Sequence, residues 1–191
     1  MTYRYDLPID LPQSADDGAC NHLVGKTMPT IKLPSTSGRE IDLGALAPGR
    51  TVIYCYPRTG KSGEQKIHGG WDEILGGIGC TSQSCSFCAD QHELADLGVE
   101  VFALSTQSPA EQREVVERLQ SPFELLSDVE LQFTRALRLP TFEAAGMTLI
   151  KRLTLMFHDN VIEHVFYPAP SLHESASPVV DWLIGRRDRC G

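Results

Sequence analysis

The spacing of hydrophobic and polar residues predicts a chain in which strands alternate with helices. Runs of apolar and β-branched residues at 50–57, 99–106 and 123–128 are typical of strands. The first two runs are continuous, as in strands buried on both faces. Residues 30–43 predict two further short strands around a turn at 35–38. Together these segments predict a sheet.

Helical spacing of apolar residues fills the gaps between these strands. The best-marked helix begins at Ser108, because Pro109 at the first helical position and Glu111 three residues after the cap form a start signal. Further helices are predicted at 81–97, 128–139 and 175–187.

The C-terminal part predicts a β-hairpin at 147–168, with Asp159 and Asn160 in its turn. The resulting order is β-β-β-α-β-α-β-α-β-β-α. It predicts an α/β, thioredoxin-like fold with three layers (α/β/α), a central mixed sheet and an N-terminal β-hairpin extension. We expect an extended N-terminal arm at 1–22 and a single domain over 23–191.

Composition places the chain among globular proteins and narrows its partners. Of 191 residues, 41% are hydrophobic and 22% are charged, and the formal net charge is −8. An acidic chain without a basic run is a poor match for nucleic acid or an anionic membrane. The N-terminus has no apolar signal core, and no stretch has the roughly 20 apolar residues of a membrane span. We therefore expect a cytoplasmic protein, whose six cysteines favour reactive or metal-bound thiols over structural disulfides.

Three of the cysteines, Cys80, Cys85 and Cys88, lie within nine residues at the predicted start of a helix. A helix N-terminus offers unpaired N–H groups and a positive dipole end, which stabilise a thiolate at Cys80. A thiolate can attack a peroxide and become a sulfenic acid, with which a second thiol condenses to a disulfide. Cys85 is the obvious second thiol, and this pattern favours a thiol peroxidase.

The spacing of Cys80 and Cys85 constrains this chemistry. Five residues of intact helix, at about 1.5 Å each, place the two Cα atoms roughly 8 Å apart. A disulfide needs them within about 7 Å. A Cys80–Cys85 bond therefore predicts that the first turns of the helix unwind during the cycle.

Other interpretations of the cluster stay open. Cys85, Cys88 and His92 follow one helix face and Cys80 could add a fourth metal ligand, although this is not the usual zinc spacing. Cys85 and Cys88 also fit a C-x-x-C thiol–disulfide oxidoreductase, although such pairs sit at the helix N-terminus, where Cys80 lies. A redox-sensing module would use the same thiols.

Packing is the remaining interpretation, because buried cysteines behave as small hydrophobic residues. We prefer it for Cys55, which lies in mid-strand, and weigh it equally with a chemical role for Cys88. Cys20 and Cys190 fall in segments that we expect to be mobile, and we assign them no role.

Five segments follow one another along the chain: YCYPRTG, GCTSQSCSF, FALSTQS, FELLSD and KRLTLMFHDNVIEHVFYP. In this order they resemble the peroxiredoxins, specifically their bacterioferritin-comigratory-protein or Q-type branch. The similarity extends from Leu23 to the C-terminal helix. It implies an enzyme, a thiol-dependent peroxidase that reduces hydrogen peroxide or organic hydroperoxides. It also implies recycling by thioredoxin or a similar dithiol, no metal or organic cofactor, and a monomer or homodimer.

The resemblance implies roles for individual residues. Cys80 is expected to be the peroxidatic thiol and Cys85 the resolving thiol. Arg152, in preference to Lys151, is expected to bind the peroxide oxygens, because a cation there lowers the thiol pKa and stabilises charge developing on oxygen. The other expected pocket residues are Pro57, Gly79 and Thr81.

Two departures from the family pattern affect these expectations. Ahead of Cys80, Glu73 and Gly77 stand where relatives carry a proline and a threonine, and the 59–79 stretch resembles an insertion. Thr59 is therefore the candidate for the missing catalytic hydroxyl. Cys88 stands where an arginine is common, which makes it a candidate alternative resolving thiol.

Overall fold

A computed structural model describes residues 16–59, 80–169 and 175–187, with the backbone alone at 80–82. The strands are β1 (Lys32–Pro34), β2 (Glu40–Asp42), β3 (Arg50–Cys55), β4 (Val99–Ser105), β5 (Glu124–Ser127), β6 (Thr141–Ala144), β7 (Met147–Ile150), β8 (Leu153–His158) and β9 (Val161–Phe166). The helices are α1 (Cys80–Ala89), α2 (Gln91–Asp96), α3 (Pro109–Leu119), α4 (Gln132–Leu137) and α5 (Ser177–Arg187).

A five-stranded mixed sheet in the order β5-β4-β3-β8-β9 forms the middle layer. β3, β4 and β5 run parallel, whereas β8 pairs antiparallel with both β3 and β9. β3 is the central strand, and all of its residues after Arg50 are buried. This is the outcome that its continuous apolar run predicts, and it confirms the α/β class with a mixed sheet.

Alternate residues of β3 face two separate cores. Val52 and Tyr54 face a core covered by α1, α2, α3 and α5. Ile53 and Cys55 face a core covered by α4 and the β1–β2 hairpin. Cys55 is fully buried in that core, which confirms packing as its role. The period of two along the strand thus produces the three layers.

The prediction of an uninterrupted helix at 81–97 is wrong in one respect. Helix α1 begins at Cys80 and ends at Ala89, and a separate helix, α2, follows from Gln91 to Asp96. The Asp90 backbone between them, with φ −91° and ψ 11°, lies outside helical geometry. The chain therefore forms two short helices here in place of one long helix.

The predicted helix at 128–139 is also too long, since α4 covers only Gln132–Leu137. The buried Asp128 carboxylate accepts hydrogen bonds from the backbone N–H groups of Phe133, at 3.1 Å, and Thr134, at 2.8 Å. Asp128 therefore satisfies the free N–H groups of the first turn from outside the helix. Leu131, with a φ of 57°, turns the chain between them.

The predicted hairpin at 147–168 contains only part of the strands in this region. β7 pairs with β6, a strand that the sequence analysis missed, through a turn at Ala145 and Gly146. The predicted turn at Asp159 and Asn160 is confirmed between β8 and β9, and both residues have positive φ, 48° and 66°. A two-residue type I′ hairpin turn requires this conformation.

The expectation that Cys20 lies in a mobile segment is wrong. Its side chain is 5% exposed and packs in the same core as Cys55. Burial, followed by the charges of Asp17 and Asp16, raises the pKa of Cys20 to about 12, so this thiol stays protonated near neutral pH. Cys190 lies outside the described residues. The division at residue 23 stays a prediction.

Candidate active site

Helix α1 carries the cysteine cluster, and Cys80 is its first residue, as predicted. The side chains of Cys80 and Thr81, and the whole of Gly79, lie outside the described residues. Seven of the ten residues of α1 are Cys, Ser or Thr, each about 0.5 kcal/mol less favourable in a helix than alanine. The local sequence therefore contributes little to the stability of α1, which depends on tertiary contacts.

Those contacts come from one face of α1. The Phe87 ring is fully buried and stacks on Tyr54 of β3, with centroids 4.3 Å apart and planes inclined by 9°. The Gln83 amide donates from Nε2 to the Cys55 carbonyl at 3.5 Å, and the Ser86 hydroxyl accepts from the backbone N–H of Ala176 at 3.1 Å. Burying the phenyl ring is worth about 2 kcal/mol, so Phe87 is the main anchor of the helix.

The segment after β3 reaches the same region from the sheet. Pro57 is buried, and Thr59 is 2% exposed. The side chain of Gln107 holds Thr59 through its backbone: Oε1 accepts from the Thr59 N–H at 2.9 Å, and Nε2 donates to the Thr59 carbonyl at 3.1 Å. The Thr59 hydroxyl also donates to Gln107 Oε1, at 3.3 Å. Thr59 is therefore a buried residue with a fixed backbone.

Arg58 is fixed by the start of α3. Its guanidinium lies 3.1 Å from a carboxylate oxygen of Glu111, and both side chains are largely buried. The other carboxylate oxygen of Glu111 accepts from the Ser108 N–H at 2.9 Å, while the Ser108 hydroxyl accepts from the Glu111 N–H. The predicted start signal of α3 is thus a complete capping box, and the same carboxylate anchors the segment that contains Thr59.

Arg152 lies between β7 and β8 and is 7% exposed. Leu153 pairs with Cys55, so Arg152 is beside the carboxyl end of β3, from which Pro57 and Thr59 follow. The Lys151 ammonium group instead pairs with the Asp17 carboxylate at 3.1 Å, and the Lys151 side chain is more exposed than Arg152. These positions are consistent with the preference for Arg152 over Lys151, which stays a prediction.

Cys85 and Cys88 are more exposed than the residues on the buried face of α1. Cys85 is exposed and Cys88 is partly exposed, and both are free thiols. Burial raises the pKa of Cys85, and the Arg118 guanidinium of α3 partly offsets this rise. Burial also raises the pKa of Cys88, against a hydrogen bond with the Ser121 side chain that lowers it. Both sulfurs therefore lie near the C-terminal end of α3.

The geometry disfavours two of the alternatives for this cluster. His92 is exposed on α2, and the side chains within the described ranges include no group of three or more His, Cys, Asp or Glu that could hold a metal ion. The predicted face of Cys85, Cys88 and His92 is therefore wrong. Cys85 is the sixth residue of α1 and not its first, which differs from the N-terminal position of an oxidoreductase pair.

Gln107 and Arg58 were not predicted to have a role, and Glu111 was predicted only as part of the α3 start signal; all three fix the segment that contains Thr59. A signal for them was present, because Gln107 follows β4 and Thr59 follows β3. Neighbouring parallel strands bring the residues after their carboxyl ends to one edge of the sheet. Which partner each polar residue finds at that edge depends on side-chain packing that the sequence alone does not state.

Comparisons with known proteins agree with this fold. The Redoxin family matches residues 23–181, and the chain therefore belongs to this family. It is 26% identical over 165 residues to peroxiredoxin Bcp of Escherichia coli K12, which covers 83% of this chain and 94% of that protein. A chloroplastic peroxiredoxin Q of Populus jackii is 27% identical over 104 residues, 54% of this chain and 41% of that one. The resemblance to the Bcp and Q-type peroxiredoxins is thus confirmed.

Solved structures show the same fold. Peroxidoxin BcpB of Mycobacterium tuberculosis superposes with a TM-score of 0.68 and 21% identity, over 86% of this chain and 98% of that chain. A cysteine-to-serine mutant of PrxQ from Xylella fastidiosa gives a TM-score of 0.71 with 15% identity, over 87% of this chain and 98% of that chain. The predicted thioredoxin-like fold is confirmed. Among the residues that the structure describes, no helix is long and apolar enough to cross a membrane.

Proposed function

We propose that this protein is a thiol-dependent peroxidase in which Cys80 attacks the peroxide and Cys85 resolves the product. Membership of the Redoxin family and similarity to peroxiredoxins support the activity. The observation that carries the assignment of residues is the place of Cys80 as the first residue of α1. The N–H groups and dipole of a helix start favour the thiolate over the thiol.

In the proposed cycle, the Cys80 thiolate attacks one peroxide oxygen and the O–O bond breaks. The second oxygen leaves with a proton as water or an alcohol, and Cys80 becomes a sulfenic acid. The Cys85 thiolate then attacks the Cys80 sulfur, hydroxide leaves as water, and a disulfide forms. A dithiol reductant restores both thiols by two exchange steps.

Arg152 and Thr59 are the proposed peroxide-binding residues, with Pro57, Gly79 and Thr81 around them. Arg152 and Thr59 are both nearly buried, and both lie beside the central pair of strands, β3 and β8. In a site with little water, a guanidinium stabilises the charge that develops on the departing oxygen more strongly than it would in solvent. Thr59 would supply the hydroxyl missing ahead of Cys80.

Resolution requires α1 to open. Cys80 and Cys85 are both in the helix, where their Cα atoms are roughly 8 Å apart, beyond the range of a disulfide. Weak helix formers at Thr81, Ser82 and Ser84 make the first turn inexpensive to unwind. Phe87 anchors the later part of the helix against Tyr54, so unwinding would stop before it.

The family also points to the proposed surroundings of the enzyme. We expect thioredoxin or a similar dithiol protein as the reductant, a cytoplasmic location, and a monomer or homodimer. Cys88 is the alternative resolving thiol if Cys85 is removed.

The test is peroxide consumption driven by a thioredoxin system, with thiol mapping by mass spectrometry. Cys80→Ser should lose turnover by about 10³-fold or more, since the nucleophile is absent. Cys85→Ser should form the sulfenic acid once and then turn over slowly. Cys190→Ser, which removes a thiol outside α1, is the control and should retain activity. Full activity of Cys80→Ser would contradict the assignment.

A further inference from the structure

We propose that Cys85 and Cys88 form a second redox couple, which takes over the disulfide from Cys80 and presents it to the reductant. This inference rests on the proposed function and deepens it. The disulfide that the external dithiol reduces would then be Cys85–Cys88. Cys80 would already be a free thiol before that dithiol reacts.

Helix geometry is the first argument for the couple. Residues three apart on an α-helix have Cβ atoms about 5 to 6 Å apart, and a disulfide needs about 3.5 to 4.5 Å. Cys85 and Cys88 are both in α1, so they are about 1 to 2 Å from bonding distance while the helix is intact. Cys80 and Cys85, by contrast, cannot bond until the first turns have opened. Exchange therefore replaces the Cys80–Cys85 bond, which requires the helix to unwind, with the Cys85–Cys88 bond, which requires only a small change in helix geometry.

Exposure is the second argument. Gln83, Ser84 and Phe87 form the buried face of α1, whereas Cys85 is exposed and Cys88 is partly exposed. A bond between Cys85 and the partly exposed Cys88 is accessible to a macromolecular dithiol through Cys85 without any opening of the core. A cysteine retained only for packing would be expected on the buried face.

The surroundings of the Cys88 sulfur include one group that favours its thiolate. The Ser121 side chain hydrogen-bonds Cys88 and lowers its pKa, partly offsetting the larger effect of burial. The charge of Cys85 raises the pKa of Cys88 further, so the two thiols are within electrostatic range of each other. Once Cys85 is in a disulfide, it carries no charge and no longer repels the Cys88 thiolate.

The exchange step balances without any added reactant. The Cys88 thiolate attacks the Cys85 sulfur, the Cys85–Cys88 bond forms, and the Cys80–Cys85 bond breaks. Cys80 leaves as a thiolate, which the helix start stabilises, and a stable thiolate is a good leaving group. An external dithiol then reduces the Cys85–Cys88 bond. The first turns of α1 can re-form as soon as Cys80 is released.

The experiment is a titration with hydrogen peroxide in the absence of reductant, followed by peptide mapping and by trapping of sulfenic acid with a dimedone-type reagent. After one equivalent, the wild-type protein should contain a Cys85–Cys88 disulfide and a reduced Cys80. A second equivalent should then convert Cys80 to a trappable sulfenic acid. Cys88→Ser should stop after one equivalent, with a Cys80–Cys85 disulfide and nothing to trap. Cys190→Ser should behave as the wild type.

The outcomes separate this inference from the proposed function. A Cys80–Cys85 disulfide that persists in the wild type, with identical behaviour of Cys88→Ser, would overturn the relay and leave the peroxidase intact. Formation of Cys85–Cys88 in Cys80→Ser at the wild-type rate would also overturn it, since the bond would not pass through Cys80. Absence of peroxide consumption in all variants would contradict the proposed function itself.

Discussion

Helices α1 and α3 pack on the same side of the sheet but differ in almost every device that stabilises a helix. Helix α3 has a complete capping box, proline at its start and residues such as Ala110, Glu114 and Arg118 that favour helix. Helix α1 consists mainly of Cys, Ser and Thr. The two helices therefore differ in how far their own sequences stabilise them. We infer different tasks: α3 holds the segment that contains Thr59 in place, and α1 carries the thiols and is proposed to open.

Helix α3 contacts the segment after β3 through the residues around its start. Gln107 and Glu111 hold Thr59 and Arg58, and Ser105 and Ser127 support Gln107 from the ends of β4 and β5. Stability at this end of α3 therefore fixes the segment that contains Thr59, a proposed peroxide-binding residue. The same stability in α1 would slow the bond between Cys80 and Cys85.

The largest effect, on the rate constant with peroxide, is expected when Gln107 no longer holds Thr59. Gln107→Ala removes both backbone contacts to Thr59, and we expect the rate constant with peroxide to fall about tenfold, equivalent to about 1.4 kcal/mol. The rate of disulfide formation should not change. Stopped-flow measurements of the two steps check this.

Gln112→Ala is the matched control. Gln112 is also buried and hydrogen-bonded, to the Ser105 hydroxyl and the Leu126 carbonyl, but has no bond to Thr59 among the described contacts. It should lower stability and leave the peroxide step unchanged. Equal losses of peroxide reactivity in both variants would mean that Gln107 acts only through stability.

Removing the cap of α3 should affect stability and not the resolution step. Ser108→Ala is expected to lower the free energy of unfolding by about 1 kcal/mol, because the free N–H of the first turn loses its acceptor. Urea denaturation measures this change. A slower conversion of sulfenic acid to disulfide in Ser108→Ala would contradict the division of tasks between the two helices.

Changing the helix propensity of α1 should alter the resolution step alone. Ser82→Ala and Ser82→Gly differ by about 1 kcal/mol in helix propensity, so resolution should be about fivefold faster in the glycine variant if unwinding precedes bond formation. The rate with peroxide serves as the internal control. Equal resolution rates in the two variants would exclude unwinding at this position.

The smallest effect concerns the charge beside Cys85. Burial raises the pKa of Cys85 and Arg118 lowers it, so Arg118→Gln should raise the pKa and reduce the thiolate fraction at neutral pH. We expect resolution to slow about twofold and its pH profile to move to higher pH, while Arg118→Lys keeps the wild-type profile. A shift to lower pH in Arg118→Gln would contradict this electrostatic role.

Local patterns allowed much of the fold to be predicted. The central strands, the cap of α3 and the turn at Asp159 follow from neighbouring residues, and the structure confirms them. The shortening of α4 could not be predicted, because Asp128 caps it across several residues that lie outside the helix. Similarly, the hold of Gln107 on Thr59 joins residues 48 positions apart, and only the completed sheet brings them together. The family resemblance identified Cys80, Cys85 and Arg152, whose roles stay predictions.

Amide hydrogen exchange in Cys88→Ser tests most directly whether α1 opens while α3 stays intact, because this variant is expected to retain the Cys80–Cys85 disulfide. Exchange should be measured before and after one equivalent of peroxide, with the disulfide verified by mapping. Protection over 80–85 should fall on oxidation, while protection in α3 should not change. Unchanged protection of 80–85 in protein that contains the Cys80–Cys85 bond would contradict it.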